Sequence, residues 1–178
     1  MSTIFRLKFA YKYQNDNGGV KKAKTEVFAE CETYTDAEKL VYAIIEKNGW
    51  GQFGSPEYEI IKTKYKVKDF IDNKVTCKDT YGDDLEGRVE CYFSKDNDGF
   101  FVIKVKFIYI DEKTGKEKYT SQAFVVAEES INSAIVTLRN YLKRSMTDFV
   151  IVDSKLDPAE NIYLFPESYT SIVERYEA

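Results

Sequence analysis

An α+β fold is what this sequence predicts: two pseudo-symmetric strand-strand-helix-strand repeats that form antiparallel sheet and are backed by two helices. Three observations predict it. First, the segment from Phe5 to Ile61 and the segment from Phe101 to Val152 carry one hydrophobic and turn pattern twice. Second, the match keeps register: at an offset of 97 Tyr34, Ala37, Val41, Ile44 and Ile45 fall on Ile131, Ala134, Leu138, Tyr141 and Leu142, all at helical spacing. At an offset of 96, Phe5, Leu7, Lys8, Phe9, Tyr11 and Tyr13 fall on Phe101, Ile103, Lys104, Val105, Phe107 and Tyr109. Third, the 14 Tyr and 12 Phe favour strands and packed sheet faces. A repeat of this kind builds one pseudo-symmetric body.

Residues 5 to 13 alternate between Phe5, Leu7, Phe9, Tyr11 and Tyr13 on one side and Arg6, Lys8, Ala10 and Lys12 on the other, the pattern of a half-buried strand. Asn15-Asp16-Asn17-Gly18-Gly19 reads as a hairpin turn leading to a second strand from about Lys22 to Glu32. Thr33 or Thr35 caps the helix that follows, with Asp36 and Glu38 in its first turn, and Gly49 ends it. The loop Gly49-Trp50-Gly51-Gln52-Phe53-Gly54-Ser55-Pro56 precedes a third strand from Tyr58 to about Phe70. These elements make a first unit over residues 1–70.

A second unit over 100–157 repeats the order. Phe100 to Ile110 is its first strand, Asp111 to Lys116 the turn and Tyr119 to Ala127 its second strand. Ser130 caps a helix to about Ser145, and Asp148 to Asp153 opens the third strand. A one-residue β-bulge in the second strand would account for the change of offset from 96 to 97. The polar insert 71–99 has turns at Tyr81-Gly82-Asp83-Asp84 and Asp96-Asn97-Asp98-Gly99, with Arg88 to Phe93 as an extra strand. The tail 158–178 offers a strand at Ile162 to Phe165 and a short helix from Pro166-Glu167, with Tyr169, Ile172, Val173 and Tyr176 on one side.

The strand, the turn Asp111-Glu112-Lys113-Thr114-Gly115-Lys116-Glu117-Lys118, the next strand and a helix with an early alanine resemble a domain family of unknown function common in gut Bacteroidetes and their bacteriophages. The resemblance covers residues 100 to 153 most clearly and extends to 5 to 70; the insert and the tail depart from it. It implies a bacterial or phage setting and carries over no catalytic residue.

Composition narrows the chemistry. The 178 residues fit one compact domain or two small units sharing a core, and 43% hydrophobic content supplies that core. With no histidine, Ser-His-Asp and Cys-His nucleophile systems and imidazole metal sites are excluded. Cys31, Cys77 and Cys91 have no C-x-x-C spacing and read as free thiols of a reducing compartment. The start MSTIFRLKFAYKY lacks the pattern of a signal peptide, and no run reaches membrane-spanning length, so a cytoplasmic or virion protein without membrane contact is expected. Gly18-Gly19 and Gly49 to Gly54 match neither a P-loop nor a dinucleotide fingerprint. Asp83, Asp84 and Glu86, or Asp96 and Asp98, lack calcium-loop spacing and read as turns. No metal, cofactor or enzymatic activity is expected.

Two surfaces stand out. Lys62, Lys64, Lys66 and Lys68 would share one face of the third strand, and one continuous sheet would add Arg6, Lys8, Lys12, Lys104 and Lys106. With tyrosines nearby, such a face is a platform for single-stranded nucleic acid; an ordinary solvated face with lysines against edge aggregation is the simpler account. Trp50 and Phe53 occupy a loop the second unit lacks, either as a stacking finger or, more simply, as a plug at one end of the core. Two functions are therefore expected: binding of single-stranded DNA or RNA, or a protein-interaction role anchored by Trp50, Phe53, Tyr169, Ile172 and Tyr176, as in a virion component, assembly factor or inhibitor of a host defence system. A homo-oligomer built through open sheet edges is compatible with both.

Overall fold

The computed structural model describes residues 2–72, 75–77, 85–93, 98–145 and 147–177, with 72, 75–77 and 173–177 described as backbone alone. The expected turns at Tyr81 to Asp84 and at Asp96-Asn97 lie outside these residues. The chain is α+β and divides into two compact units, the first formed by 1–67, 76–92 and 158–170 and the second by 68–75, 93–157 and 171–178.

In the first unit, β1 (Thr3–Gln14) and β2 (Val20–Cys31) form a hairpin, followed by α1 (Tyr34–Asn48) and β3 (Glu57–Lys62). β3 runs antiparallel to β1, while β10 (Asn161–Leu164) lies parallel to β2 and antiparallel to β6 (Val89–Phe93). With β5 (Val75–Cys77) the sheet order is β3-β1-β2-β10-β6-β5. Phe5, Leu7 and Phe9 of β1 and Val27, Ala29 and Cys31 of β2 pack on Ala37, Leu40, Val41 and Ile44 of α1. Each Val, Leu, Ile or Phe side chain among them contributes about 1.5–3 kcal/mol when fully buried. α1 is delimited by local chemistry: Thr33 Oγ1 accepts from the Asp36 N–H at 3.1 Å, and Asp36 accepts from the Glu32 N–H at 3.0 Å. At its other end Gly49 is left-handed (φ 67°), and the Trp50 N–H reaches the Ile45 carbonyl at 3.1 Å. That six-to-one bond defines the Schellman motif, which favours apolar contact by the residue after the glycine.

In the second unit, β7 (Gly99–Ile110) and β8 (Glu117–Glu128) form the hairpin, α2 (Ile131–Leu142) follows and β9 (Asp148–Asp157) pairs with β7. β4 (Phe70–Asp72) lies parallel to β8, so the order is β4-β8-β7-β9. Phe101, Ile103 and Val105 pack with Phe124, Val126, Ala134 and Leu138. Ser130 caps α2 by accepting from the Ser133 N–H at 3.1 Å.

Several sequence expectations need correcting. The two sheets are mixed rather than purely antiparallel, because each hairpin acquires a parallel strand from outside its own strand-strand-helix-strand segment. The expected third strand from Tyr58 to Phe70 stops at Lys62: Thr63 Oγ1 bonds the Ile4 carbonyl and the Tyr65 carbonyl takes the Ile4 N–H, after which Val67–Asp69 forms a 3-10 turn. The change of offset is not a bulge, since both hairpins run in unbroken register; it falls in the connection, which spans 15–19 in one and 111–116 in the other. A bulge does occur, in the β7–β9 pairing between Lys104 and Val105. α2 ends at Leu142 rather than near Ser145. In the tail, where a strand and a short helix were expected, β10 is an interior strand of the first sheet and Pro166–Glu177 forms α3.

Candidate nucleic-acid interface

The hairpin end of the first unit gathers aromatic rings and lysines. β3 pairs with β1 only as far as Ala10, so from Tyr11 to Gln14 that side of β1 runs beside the 49–56 loop instead of a strand. The Schellman turn of α1 delivers Trp50 there, where its ring stacks on Tyr11 at 4.3 Å with an interplanar angle of 8° and meets Phe9 at 5.0 Å. Tyr11, Tyr13, Trp50 and Phe53, with Lys12 and Gln52, line a groove of about 640 Å³. Tyr13 and Phe53 are 42% and 39% exposed, so both present ring surface to a ligand. Trp50 itself is half-buried and packed on the core cluster, which fits its reading as a plug, while Phe53 stands at the rim.

The stretch from Tyr11 to Thr25 holds Lys12, Lys21, Lys22 and Lys24 against the single carboxylate Asp16. Lys12 and Lys22 are directly opposite partners on one face of the hairpin, and Lys21 stands opposite Tyr13 on the groove face. Like charges placed opposite each other oppose strand pairing, and a bound anion reverses that penalty. The Lys12 side chain also runs past Gly54 of the loop, where a Cβ would lie 3.7 Å from Lys12 Cδ.

The nine cations expected on one sheet face are divided between two sheets and the segment that follows β3. The Arg6 guanidinium lies 4.9 Å from the centre of the Phe28 ring. Lys8 pairs with Glu26 at 3.4 Å and also faces Glu59 across the sheet. Its surroundings form a groove of about 690 Å³ lined by Glu26, Glu57, Glu59 and Glu160 together with Lys24. Burial, followed by the nearby charge of Glu26, pushes the Glu160 carboxyl above its ordinary value. That groove repels a polyanion. Lys62 closes β3, whereas Lys64, Lys66 and Lys68 follow it, so the four lack the strand that would align them. Lys104 and Lys106 belong to the other sheet, Lys104 opposite Asp153. Of the tail residues, Tyr169 is half-buried, Ile172 is buried and the Tyr176 side chain lies outside the described residues.

A second cluster in this unit is structural, and the sequence did not reveal it. Arg88 is fully buried, and its guanidinium donates to the Glu30 and Glu86 carbonyls and to the Asp36 carboxylate while lying 4.6 Å from the centre of the Phe165 ring. The buried Glu30 carboxylate accepts from Ser2, Ser168 and the Phe165 N–H. Burial opposes ionisation of Asp36, yet its bonds from Arg88 and the Glu32 N–H hold its carboxyl below the ordinary 3.8. Burial pushes the Cys31 thiol up to about 12 despite Arg88 nearby, leaving it protonated and a poor nucleophile. Among the described residues no group of His, Cys, Asp and Glu forms a metal centre, and no helix is long and apolar enough to cross a membrane.

Tyr11, Tyr13 and Gln52 are groove residues that sequence reasoning did not single out, and Lys21 and Lys22 stand beside them as the register partners of Tyr13 and Lys12. The run Lys21-Lys22-Ala23-Lys24 directly after the turn was the available signal. It was hidden because a longer third strand would have covered this edge.

A family model described as Domain of unknown function (DUF4494) matches residues 3–165. No curated protein and no solved structure matches the chain.

Proposed function

Because the chain belongs to the DUF4494 family of domains of unknown function, which brings no activity with it, we propose from its own side chains that it is a non-enzymatic binding protein engaging single-stranded DNA or RNA. The observation that carries this is the groove at the end of the first hairpin, lined by Trp50, Tyr13, Phe53 and Lys12, with Lys21 opposite Tyr13 and Lys22 opposite Lys12. Single strands are held without sequence preference when bases stack on aromatic rings and the phosphates track cations, and both components are present. The surface differs from the lysine row expected from sequence; the ligand class is the same. The setting we propose is a bacterial or phage cytoplasm, or a virion.

The test is an oligonucleotide titration at low and raised salt with the native chain and with Phe53→Ala. Loss of one stacking partner lowers affinity by about 1–3 kcal/mol. Equal affinity in the variant, or no binding at low salt, removes the proposal.

A protein-interaction role is the second reading, favoured by a different observation. On the sheet face of the second unit away from α2, Lys106, Ile108, Ile110, Tyr119 and Val150 are register neighbours, and Ile110, Tyr119 and Val150 are 66%, 57% and 49% exposed. An apolar patch with a charged rim is the usual composition of a protein-docking surface. Under this reading Ile110→Asp with Val150→Asp abolishes partner capture while oligonucleotide binding is untouched.

A further inference from the structure

The second unit contains a separate groove of about 590 Å³ beside the end of α2. Phe124 and Leu142 are its buried parts, Phe107 and Tyr141 are half-buried walls, and Lys68, Arg144 and Ser145 are exposed at its rim. The Phe107 and Phe124 rings meet edge to face at 6.3 Å. Gln122 is oriented by donating to the Asp69 carboxylate at 2.9 Å, which leaves its amide oxygen as an acceptor.

Two features identify what fits. Phe107 is the residue matched to Tyr11 at the offset of 96, and in the first unit Trp50 covers Tyr11. Residues 143–148 carry no tryptophan, and no aromatic ring from that connection lines the groove of the second unit. Phe107 meets Phe124 edge-on at 6.3 Å and Phe149 tilted at 6.4 Å, so among the described residues no ring stacks flat on it as Trp50 does on Tyr11, and a ligand's ring would take that place. Charge supplies the second feature: the lining includes the cations Lys68 and Arg144, and the Asp69 carboxylate that meets the groove's Gln122 is held by that hydrogen bond. A guanidinium and an ammonium at a rim hold phosphate through charge-assisted hydrogen bonds, and an arginine also stacks on a planar ring.

We propose that this groove is a binding site for a nucleotide, taken as an aromatic ring held against Phe107 and Tyr141 with its phosphate between Lys68 and Arg144. The site rests on the second unit alone and is independent of the hairpin groove proposed for single strands.

The experiment is isothermal titration of the full chain with adenosine 5′-monophosphate, adenosine and inorganic phosphate separately. Lys68→Glu with Arg144→Glu and, in a second protein, Phe53→Ala serve as variants. Binding of the monophosphate that is weakened about tenfold or more by the double substitution, and equally by omission of either the ring or the phosphate, supports the site. Phe53→Ala leaves it unchanged, which separates this site from the hairpin groove. Absence of monophosphate binding, equal binding by the double variant with an unaltered melting temperature, or equal affinity for inorganic phosphate alone overturns it.

Discussion

Arg88 is a charge that the first unit cannot lose cheaply. Its guanidinium is removed from water and bonded to two carbonyls and Asp36, so removing it strands the Asp36 carboxylate and the Glu30 carbonyl. Arg88→Met is expected to destabilise the protein by about 3–5 kcal/mol, the range for breaking one side of a buried pair, as read from denaturant midpoints. The acid response follows from the same contact. Asp36 has a folded value below its ordinary 3.8, so its contribution is complete above that pH and is lost as the pH falls through the lower folded value. The melting temperature of the native chain should therefore drop on acidification below 3.8, and this part of the drop should be absent in Arg88→Met. A native chain with no steeper acid loss than the variant would sink the assignment. At this scale little was legible beforehand, because Arg88 is 52 residues from Asp36 in sequence and nothing local marks it as buried.

The element that decides the hairpin groove is the end of α1. Gly49 holds a positive φ that costs a residue with a side chain about 1 kcal/mol, and the bond it permits from Trp50 to Ile45 aims the indole at Tyr11. Gly49→Ala should lower stability by about that amount and shift the Trp50 emission, since the stack on Tyr11 loosens. An unchanged emission spectrum would show that the loop holds the ring by itself. The hairpins, both helices and their caps Thr33 and Ser130 could be read from period and capping chemistry. The third strand could not be read in length, because Lys62 to Lys68 keeps a period-two pattern of exposure after leaving the strand. β10 shows the opposite difficulty. The tail's apolar run marked a strand at Ile162 to Phe165 but not its interior position: Ile162 and Tyr163 are buried between β2 and β6, and the buried Leu164 pairs with β6. Tyr163→Pro, which removes a ladder donor, should unfold the first unit; a native circular dichroism spectrum and melting temperature would contradict the interior placement.

Across the whole chain the net charge of −4 hides a local excess of lysine at the first hairpin, so bulk charge says nothing about the ligand. Lys22→Glu converts an opposed Lys12–Lys22 pair into an attractive one and should raise stability by about 0.2–1 kcal/mol while weakening oligonucleotide binding. A substitution that stabilises the fold and weakens binding separates a ligand site from a packing role. Affinity should also fall with salt, with a log–log slope of about −2 to −3 if three or four phosphates are neutralised. The most direct measurement uses the single tryptophan of the chain, Trp50, as its own reporter. Titrating a single-stranded oligonucleotide at low salt should quench its emission to saturation, with recovery on adding salt and with little quenching in Lys22→Glu. Emission that stays constant through the titration, or quenching that is equal in Lys22→Glu and indifferent to salt, would contradict single-strand binding at this groove.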